Sequence, residues 1–477
     1  MKHIPRSVVI MSAGGLLSQL IPLAVAPVLT RLYSPEVFGL FSTFFTFAAV
    51  AAIPATLRLD LAVILADSDR EASRLAAWTL VLACLILTLL EGGLLVTDHL
   101  APLESLHPLG GLLLLVPLMA WLIAAQGVLM IITNRRRAYK TAATCGVVQQ
   151  AVNAVVSVLL GLAGAHAGGL IASRLGAFVA GSLTMLRYSV CGFFAGVELR
   201  WDEARTMFWR YWQFPLFNVP YSMSGLLSRD FPVIALSSTG YVAFAGQFAI
   251  ARMASSIPGN FLTSSLSNMF YRESAEFLGY RHFTELIWKL FRVLAQIAFP
   301  VFIAVGLVGE ELFIFVFGER WHGAGTMFGY LALPFALSML TGWPERIFEV
   351  RAKQHWSFII QLGFDGLTIA GVILTLSRGG SPLHAVQVYA VIQTCYQLTY
   401  IASVFVLAGL GWRRFLSLLA GLVLLAGGLF VADHLLYQWG ALGPLSHGLL
   451  LLALALAVAL RGVRRLIATL KSVAVAD

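Results

Sequence analysis

Long apolar runs separated by short polar segments dominate the pattern of the chain. A helix needs about 20 mostly apolar residues to cross a bilayer, and the runs predict fourteen such spans. They cover residues 7–30, 38–57, 74–96, 111–133, 141–163, 167–186, 213–238, 242–270, 290–309, 323–343, 355–377, 384–409, 413–432 and 444–460. The pattern therefore predicts an all-α polytopic membrane protein.

Small and polar residues recur at spacings of three and four along several spans, so they share one helical face. Span 5 has Gln150 and Asn153 on such a face, and span 7 has Asn218. A face of this kind lines a protein or water-filled interior, or it lets membrane helices pack closely. Both interpretations stay open for the faces that carry no charge.

Composition supports the membrane class and narrows the chemistry. Of 477 residues, 59% are hydrophobic and 12% are charged, whereas a soluble domain has about 25% charged residues. The net charge of +9 reflects basic loops, so we expect no nucleic-acid partner. The sequence has no Walker A lysine, no HExxH and no CxxC pair. We expect no catalytic residue, no metal and no cofactor.

The basic residues also predict an orientation. With the N-terminus placed in the cytoplasm, 26 of the 32 Lys and Arg residues fall in inner segments, as the positive-inside rule requires. Both termini are then cytoplasmic. Three arginines, Arg174, Arg229 and Arg252, fall inside spans instead.

Segments 35–54 and 240–258 form an internal repeat. Each has a short turn, then Gly-x-Phe (starting at Gly39 and Gly246), then Ile-Pro. Paired repeats are typical of transporters. We expect the following organisation: an N-terminal lobe of helices 1–6 (residues 1–190), a cytoplasmic linker (191–212), a C-terminal lobe of helices 7–12 (213–410), and two extra helices with a basic tail (411–477).

Charges inside the spans are the candidate chemistry. An arginine at the centre of a membrane helix costs at least ~2.5–3.5 kcal/mol unless it faces protein or water. Arg229 and Asp230 are adjacent, so they diverge by about 100° around the helix, and we expect no direct ion pair between them. Asp230 would then pair with Arg252, Arg174 or water. The excess of arginine predicts a cationic cavity for an anionic ligand such as a phosphate.

Three stretches carry a resemblance to a known family. They are "APVLTRLYSPEVFGLFSTF" (26–44), "IPATLRLDLAVILADSDREA" (53–72) and "FPVIALSSTGYVAFAGQFAIARMASSIPGNFLTSSLSNMF" (231–270). They resemble the Wzx-type oligosaccharide flippases (O-antigen and exopolysaccharide) of the multidrug/oligosaccharidyl-lipid/polysaccharide (MOP) exporter superfamily. That family is described with twelve spans, and two further spans are similar to the lipid II flippase branch.

The resemblance implies a V-shaped, two-lobe transporter in the bacterial cytoplasmic (inner) membrane. It would move undecaprenyl-diphosphate-linked oligosaccharide from the inner to the outer leaflet, with H⁺ or Na⁺ as a coupling ion and other polysaccharide assembly proteins and membrane lipid as partners. The resemblance implies Arg31, Arg174, Arg229 and Arg252 as substrate-binding residues, and the polar faces add Asn218, Gln150 and Asn153 as candidates. Asp230 and Asp365 are the candidates for ion coupling, and Arg58 and Asp60 for the inner gate.

Two alternatives stay open. A membrane glycan polymerase or ligase would read the same substrate, but such enzymes need a large outer loop, and the outer loops here reach only about fifteen residues by the predicted spans. A cation-coupled multidrug antiporter of the same superfamily would favour an acidic cavity rather than a basic one.

Overall fold

The computed structural model describes residues 6–102, 107–190, 192–255, 281–438 and 443–475. Within these ranges the chain is helical and has no strand. Packing divides it into two compact units, Lys2–Gly246 and Gln247–Asp477, and each is described by itself. The lobe boundaries expected from the repeat stay a prediction.

Nine complete helices and the start of a tenth belong to the first unit. Its helices are α1 (Arg6–Leu32), α2 (Pro35–Ala55), α3 (Leu59–Leu65), α4 (Asp69–Leu100), α5 (Val116–Arg135), α6 (Tyr139–Leu162), α7 (Ala167–Met185), α8 (Trp201–Arg210), α9 (Val219–Ser238) and the beginning of α10, which is described over 242–255. Helix α1 packs along α6, α6 along α7, and α2 between α5 and α9.

The second unit contains the rest of the described helices. These are α11 (Arg281–Leu307), α12 (Gly309–Phe317), α13 (His322–Thr341), α14 (Ile347–Val350), α15 (Gln354–Ser377), α16 (Pro382–Leu407), α17 (Trp412–Gln438) and α18 (Pro444–Val475). Helix α11 is central, because it packs against α13, α17 and α18. A cluster of aromatic side chains around Phe291, Trp343 and Phe405 fills this region.

Local sequence explains where several helices begin. Ser34 has an extended backbone and Pro35 follows it as the first residue of α2, a position where proline's missing N–H is not needed. The Ser68 hydroxyl accepts a hydrogen bond from the Glu71 backbone N–H at 3.1 Å and so caps α4. Ser381 caps α16 in the same way.

Twelve helices in the described ranges are long and apolar enough to cross a membrane. They coincide with twelve of the fourteen predicted spans. The predicted seventh span is α9, which has 20 residues but carries two charges and several serines that lower its hydropathy. Most of the predicted eighth span, including Asn260, Thr263 and Ser267, lies outside the described residues. The all-helical membrane fold is confirmed, whereas the full count of fourteen and the orientation stay predictions.

The two motifs of the internal repeat meet in the first unit. A Cβ placed on Gly39 would strike the Val242 carbonyl group, with 2.9 Å to its carbon. A Cβ placed on Gly246 would strike the Pro35 carbonyl oxygen and lie 2.8 Å from the Gly39 nitrogen. Each glycine therefore faces the residue four positions before the other. Only residues without side chains allow two membrane helices to cross this closely.

Candidate transport site

Arg174 lies on α7 with its side chain against two phenyl rings. The guanidinium carbon is 4.7 Å from the ring centroid of Phe45 on α2 and 5.5 Å from that of Phe178, one turn further along α7. Its Nε is buried and has no hydrogen-bond partner among the described residues. The aromatic faces stabilise the cation by about 2 kcal/mol in a dry setting without neutralising it. This face of α7 is thus protein-facing at Arg174.

Asn153 reaches the same region from α6. The hydroxyl of Ser173, next to Arg174, donates a hydrogen bond to the Asn153 side-chain oxygen at 3.4 Å. Gln150 lies one turn before Asn153 and is half-buried. Asn153 thus contacts the residue before Arg174 on α7, and its side chain is held by the α6–α7 packing.

A glutamine pair next to this region escaped the sequence analysis. Gln126 of α5 and Gln149 of α6 exchange two side-chain hydrogen bonds, each 3.1 Å long. A Cβ at Gly181 on α7 would lie 2.6 Å from Gln126 Nε2, so this glycine makes room for the pair. The sequence signal for this pair was Gln126, the single amide in the apolar run "WLIAAQGVLM" (121–130). Gln150 was predicted as a site residue instead.

The expectation that Arg229 and Asp230 do not pair is wrong. Arg229 Nη2 lies 3.4 Å from Asp230 Oδ2 on α9. Their Cβ atoms do diverge around the helix, but the arginine side chain is long enough to curl back across that angle. The two environments differ sharply: the Arg229 side chain is 63% exposed and that of Asp230 is 6% exposed. Asn218, at the start of the same predicted face, is half-buried.

Arg58 and Asp60 form an elbow between α2 and α3, outside the membrane-spanning helices. Leu57 and Arg58 both have left-handed backbones, with φ of 49° and 55°, which turns the chain sharply. Arg58 Nε donates to the Ser222 hydroxyl of α9 at 3.0 Å, and its Nη1 lies 3.7 Å from Asp60 Oδ2. Burial raises the pKa of Asp60, and the Arg58 charge opposes that shift.

Further ion pairs hold the turn between α3 and α4, and they were not among the predicted site residues. Arg210 lies 2.8 Å from Asp67 and 3.0 Å from Glu71. The Tyr211 hydroxyl donates to Glu71 at 3.2 Å, and burial raises the pKa of Tyr211, with Glu71 adding to the shift. Arg135 donates to three carbonyl oxygens at the end of α3. The acidic run "ADSDREA" (66–72) was the available signal.

Arg31 lies at the end of α1, where its Nη1 donates to the Pro27 carbonyl oxygen at 2.7 Å. Its side chain is exposed. Pro27 sits inside the helix, one turn before Arg31, so the hydrogen bond folds the arginine side chain back along the last turn of α1. The predicted position at the outer mouth stays a prediction, since it depends on the orientation.

Arg252 and Asp365 belong to the second unit. Arg252 is half-buried on α10, and its carbonyl accepts a hydrogen bond from the Ser255 hydroxyl. Asp365 on α15 is 8% exposed, one turn before Thr368, whose hydroxyl accepts a hydrogen bond from Gln393 of α16 at 3.3 Å. Asp365 and Thr368 therefore both turn inward from α15.

In the part of the chain that the structure describes, no group of three or more His, Cys, Asp or Glu side chains could hold a metal ion. Instead, Arg174, Asn153, Arg229 and the Arg58 elbow offer hydrogen-bond donors and positive charge. Such an arrangement can bind an anion and the hydroxyl groups attached to it.

Comparisons with known proteins identify the family. The model of the family described as "Polysaccharide biosynthesis protein" matches residues 28–325. No curated protein matches the chain.

Three solved structures show the fold. One is described as lipid II flippase MurJ in an inward closed conformation; it has a TM-score of 0.69 and 12% identity and covers 96% of this chain and 100% of that one. An inward-facing multidrug resistance MATE transporter of the MOP superfamily has a TM-score of 0.55, 14% identity and coverage of 86% and 95%. A MOP superfamily transporter from Pyrococcus furiosus, described as having a binding pocket of reverse polarity, has a TM-score of 0.54, 15% identity and coverage of 86% and 96%. None of the three is described as an enzyme.

Proposed function

This chain belongs to the polysaccharide biosynthesis protein family, and from this premise we propose that it is a flippase for a lipid-linked oligosaccharide. The substrate would be an undecaprenyl-diphosphate glycan, moved from the inner to the outer leaflet of a bacterial cytoplasmic membrane for surface polysaccharide synthesis. The membrane-spanning helices and the resemblance to the Wzx-type flippases support this proposal.

One observation carries the proposal. Arg174 is held at a fixed position in a membrane-spanning helix by two aromatic faces, and the described residues provide no carboxylate for it. Because aromatic packing and not an ion pair stabilises this guanidinium, its positive charge stays available to a ligand. Its planar fork matches two oxygens of a phosphate. A diphosphate at the end of a polyprenyl chain is such an anion. It resides in the membrane, and it fits a family described by polysaccharide biosynthesis.

The other candidate residues take roles consistent with their environment. In the proposal, Arg229, Arg252 and Arg31 share the diphosphate and acidic sugars with Arg174. The amides of Gln150, Asn153 and Asn218 bind sugar hydroxyl groups. These roles rest on the resemblance and on the polar faces.

Transport by alternating access needs contacts that form on one side of the membrane and break on the other. We assign the inner gate to the elbow of Arg58 and Asp60, because Arg58 bonds to Ser222 on α9 by a single side-chain hydrogen bond that a small movement would break. Asp230 and Asp365 are buried carboxylates, and a coupling H⁺ or Na⁺ would bind there.

Deletion of the gene tests the function. If the protein is a flippase, the deletion strain accumulates lipid-linked oligosaccharide that mass spectrometry detects in the membrane fraction, and the surface polysaccharide is lost. Expression of the wild-type chain reverses both effects. A deletion strain with normal polysaccharide and no accumulated intermediate would contradict the proposal, and a change only in drug susceptibility would favour the antiporter.

A further inference from the structure

A groove runs between α11 and α17 in the second unit, away from every residue assigned above. Its volume is about 1110 Å³, part of it open to the surroundings. Its lining extends from Trp288 to Gln296 on α11 and from Ser417 to Leu425 on α17. Each stretch covers about 12 Å at the helical rise. The groove is therefore about 12 Å long along both helices, a length that covers part of an acyl chain.

The two ends of the groove differ in chemistry. The end near the beginning of both helices has Trp288, Arg292 and Ser417, whereas the other end has leucines such as Leu424 and Leu425. A Cβ at Gly421 in the middle would meet no atom within 4 Å, so this position leaves open space rather than a packing contact. The groove therefore has a polar part at one end and a mainly apolar part along the rest of its length.

Arg292 provides the charge at the polar end. Its side chain is exposed, and its guanidinium carbon lies 5.7 Å from the Trp288 ring centroid. Among the residues described, Arg292 has no carboxylate partner. The nearby Glu285 instead pairs with Arg414, whose guanidinium carbon lies 5.9 Å from the same Trp288 ring. Arg414 thus neutralises the Glu285 carboxylate at this end of the groove, and Arg292 adds a net positive charge there.

More basic side chains surround this end. Lys289 and Arg413 are exposed next to the groove-lining segments. At the other limit of the α11 lining, Arg465 on α18 donates to Gln296 at 2.9 Å, and α18 can approach α11 there because Gly462 packs directly on Ile297. The beginnings of α11 and α17 and the end of α18 carry the basic residues that the positive-inside rule assigns to the cytoplasmic leaflet.

We propose that this groove binds one anionic phospholipid of the inner leaflet, with an acyl chain along Gly421 and Leu425 and the phosphate on Arg292. Basic pockets between membrane helices on the cytoplasmic side select anionic head groups, and tryptophan is enriched at this depth. The bound lipid bridges α17 to α11 and so anchors the last two helices. The proposal does not depend on the transport function.

Native mass spectrometry of the purified full-length chain tests the site. The delipidated protein is titrated with dioleoylphosphatidylglycerol and, separately, with dioleoylphosphatidylcholine. We expect preferential binding of phosphatidylglycerol. Arg292→Gln weakens that binding about fivefold, as expected for one basic contact, and Arg292→Lys retains most of it. Gly421→Leu fills the groove and weakens binding of both lipids. Arg378→Gln, an exposed arginine at the end of α15, is the matched control and has no effect.

Several results would overturn the proposal. One is equal binding of the two phospholipids, and another is unchanged phosphatidylglycerol binding in both Arg292→Gln and Gly421→Leu. A third is binding of undecaprenyl phosphate that exceeds that of phosphatidylglycerol and is lost in both Arg292→Gln and Gly421→Leu, which would assign the groove to the polyprenyl substrate. Size-exclusion profiles identify variants that do not fold, and the wild-type titration decides the lipid preference without any variant.

Discussion

Gly39 and Gly246 lie backbone against backbone where α2 crosses α10, and neither tolerates a Cβ at its position. Each would place that atom on the backbone four residues before the other glycine, at Val242 and Pro35. The sequences "PEVFG" (35–39) and "VAFAG" (242–246) are therefore related by an approximate twofold symmetry at their point of contact. The faint repeat in the sequence corresponds to a specific helix crossing.

Substitution of one of these glycines should separate the helices. We expect Gly246→Ala to lower the free energy of unfolding by about 1–3 kcal/mol, the usual cost of overpacking, because the added methyl group meets backbone that cannot rotate away. The measurement is thermal or denaturant unfolding of the purified protein in detergent.

Gly176→Ala is the matched control. Gly176 is also in a membrane-spanning helix, but a Cβ there meets nothing within 4 Å. Alanine is favoured over glycine in a helix by up to about 1 kcal/mol, so this variant should be as stable as the wild type or slightly more stable. Equal stability of the two variants would contradict the close crossing.

The environment of Arg229 can be tested with thiol chemistry. In a variant with all four native cysteines replaced by serine, we expect Arg229→Cys to react rapidly with a charged, membrane-impermeant maleimide, because that side chain is 63% exposed and would face water. Asp230→Cys should react slowly, since its side chain is 6% exposed.

In this experiment Val423→Cys is the control that distinguishes a side chain exposed to water from one exposed to lipid. Val423 on α17 is 70% exposed in a membrane-spanning helix with apolar neighbours. A charged reagent does not enter hydrocarbon, so this thiol should stay unmodified. If the thiol at position 229 reacted as slowly as the one at 423, Arg229 would face lipid, and its role in substrate binding would be wrong.

The Asp60 carboxyl predicts a pH dependence of stability. Its pKa is raised by burial, so the folded state binds more protons than the unfolded state between the two pKa values, and stability falls as the pH rises through that window. Asp60→Asn removes this effect. The variant should be more stable than the wild type at neutral pH, and its advantage should shrink as the pH falls toward about 4, the ordinary pKa of an aspartate.

Unfolding of both proteins across pH 4–8 measures the difference. Asp202→Asn is the control, because Asp202 is exposed on α8 and its substitution should leave the pH profile unchanged. An advantage of Asp60→Asn that grew toward low pH would show the opposite sign and contradict the assignment to burial.

Apolar length and the spacing of small residues predicted most of the fold. They predicted the twelve apolar membrane-spanning helices, since the length and apolar character of a helix are local properties of the sequence. The sequence pattern did not predict how far a side chain reaches. Arg229 curls back to pair with Asp230, although the angle between the two positions on the helix disfavours such a pair. The pattern did not predict partner choice either, because Gln149 and Gln150 are equivalent in the sequence and only the packing of α5 selects Gln149.

The aromatic support of Arg174 predicts graded effects on export. Arg174→Gln should abolish export in a deletion strain, and Arg174→Lys should restore little, because an ammonium group lacks the planar fork. Phe45→Leu keeps an apolar side chain but removes one aromatic face, so export should fall several-fold with normal protein levels. The assay is restoration of surface polysaccharide. Wild-type export by Arg174→Gln would refute the role of Arg174.

Binding of undecaprenyl diphosphate by the purified protein in nanodiscs is the most direct test of a cationic transport site. The account predicts saturable binding that exceeds binding of uncharged undecaprenol, and at least a tenfold loss in a folded Arg174→Gln variant. Equal affinity for the charged and uncharged lipids, or unchanged diphosphate binding in that variant, would contradict the account.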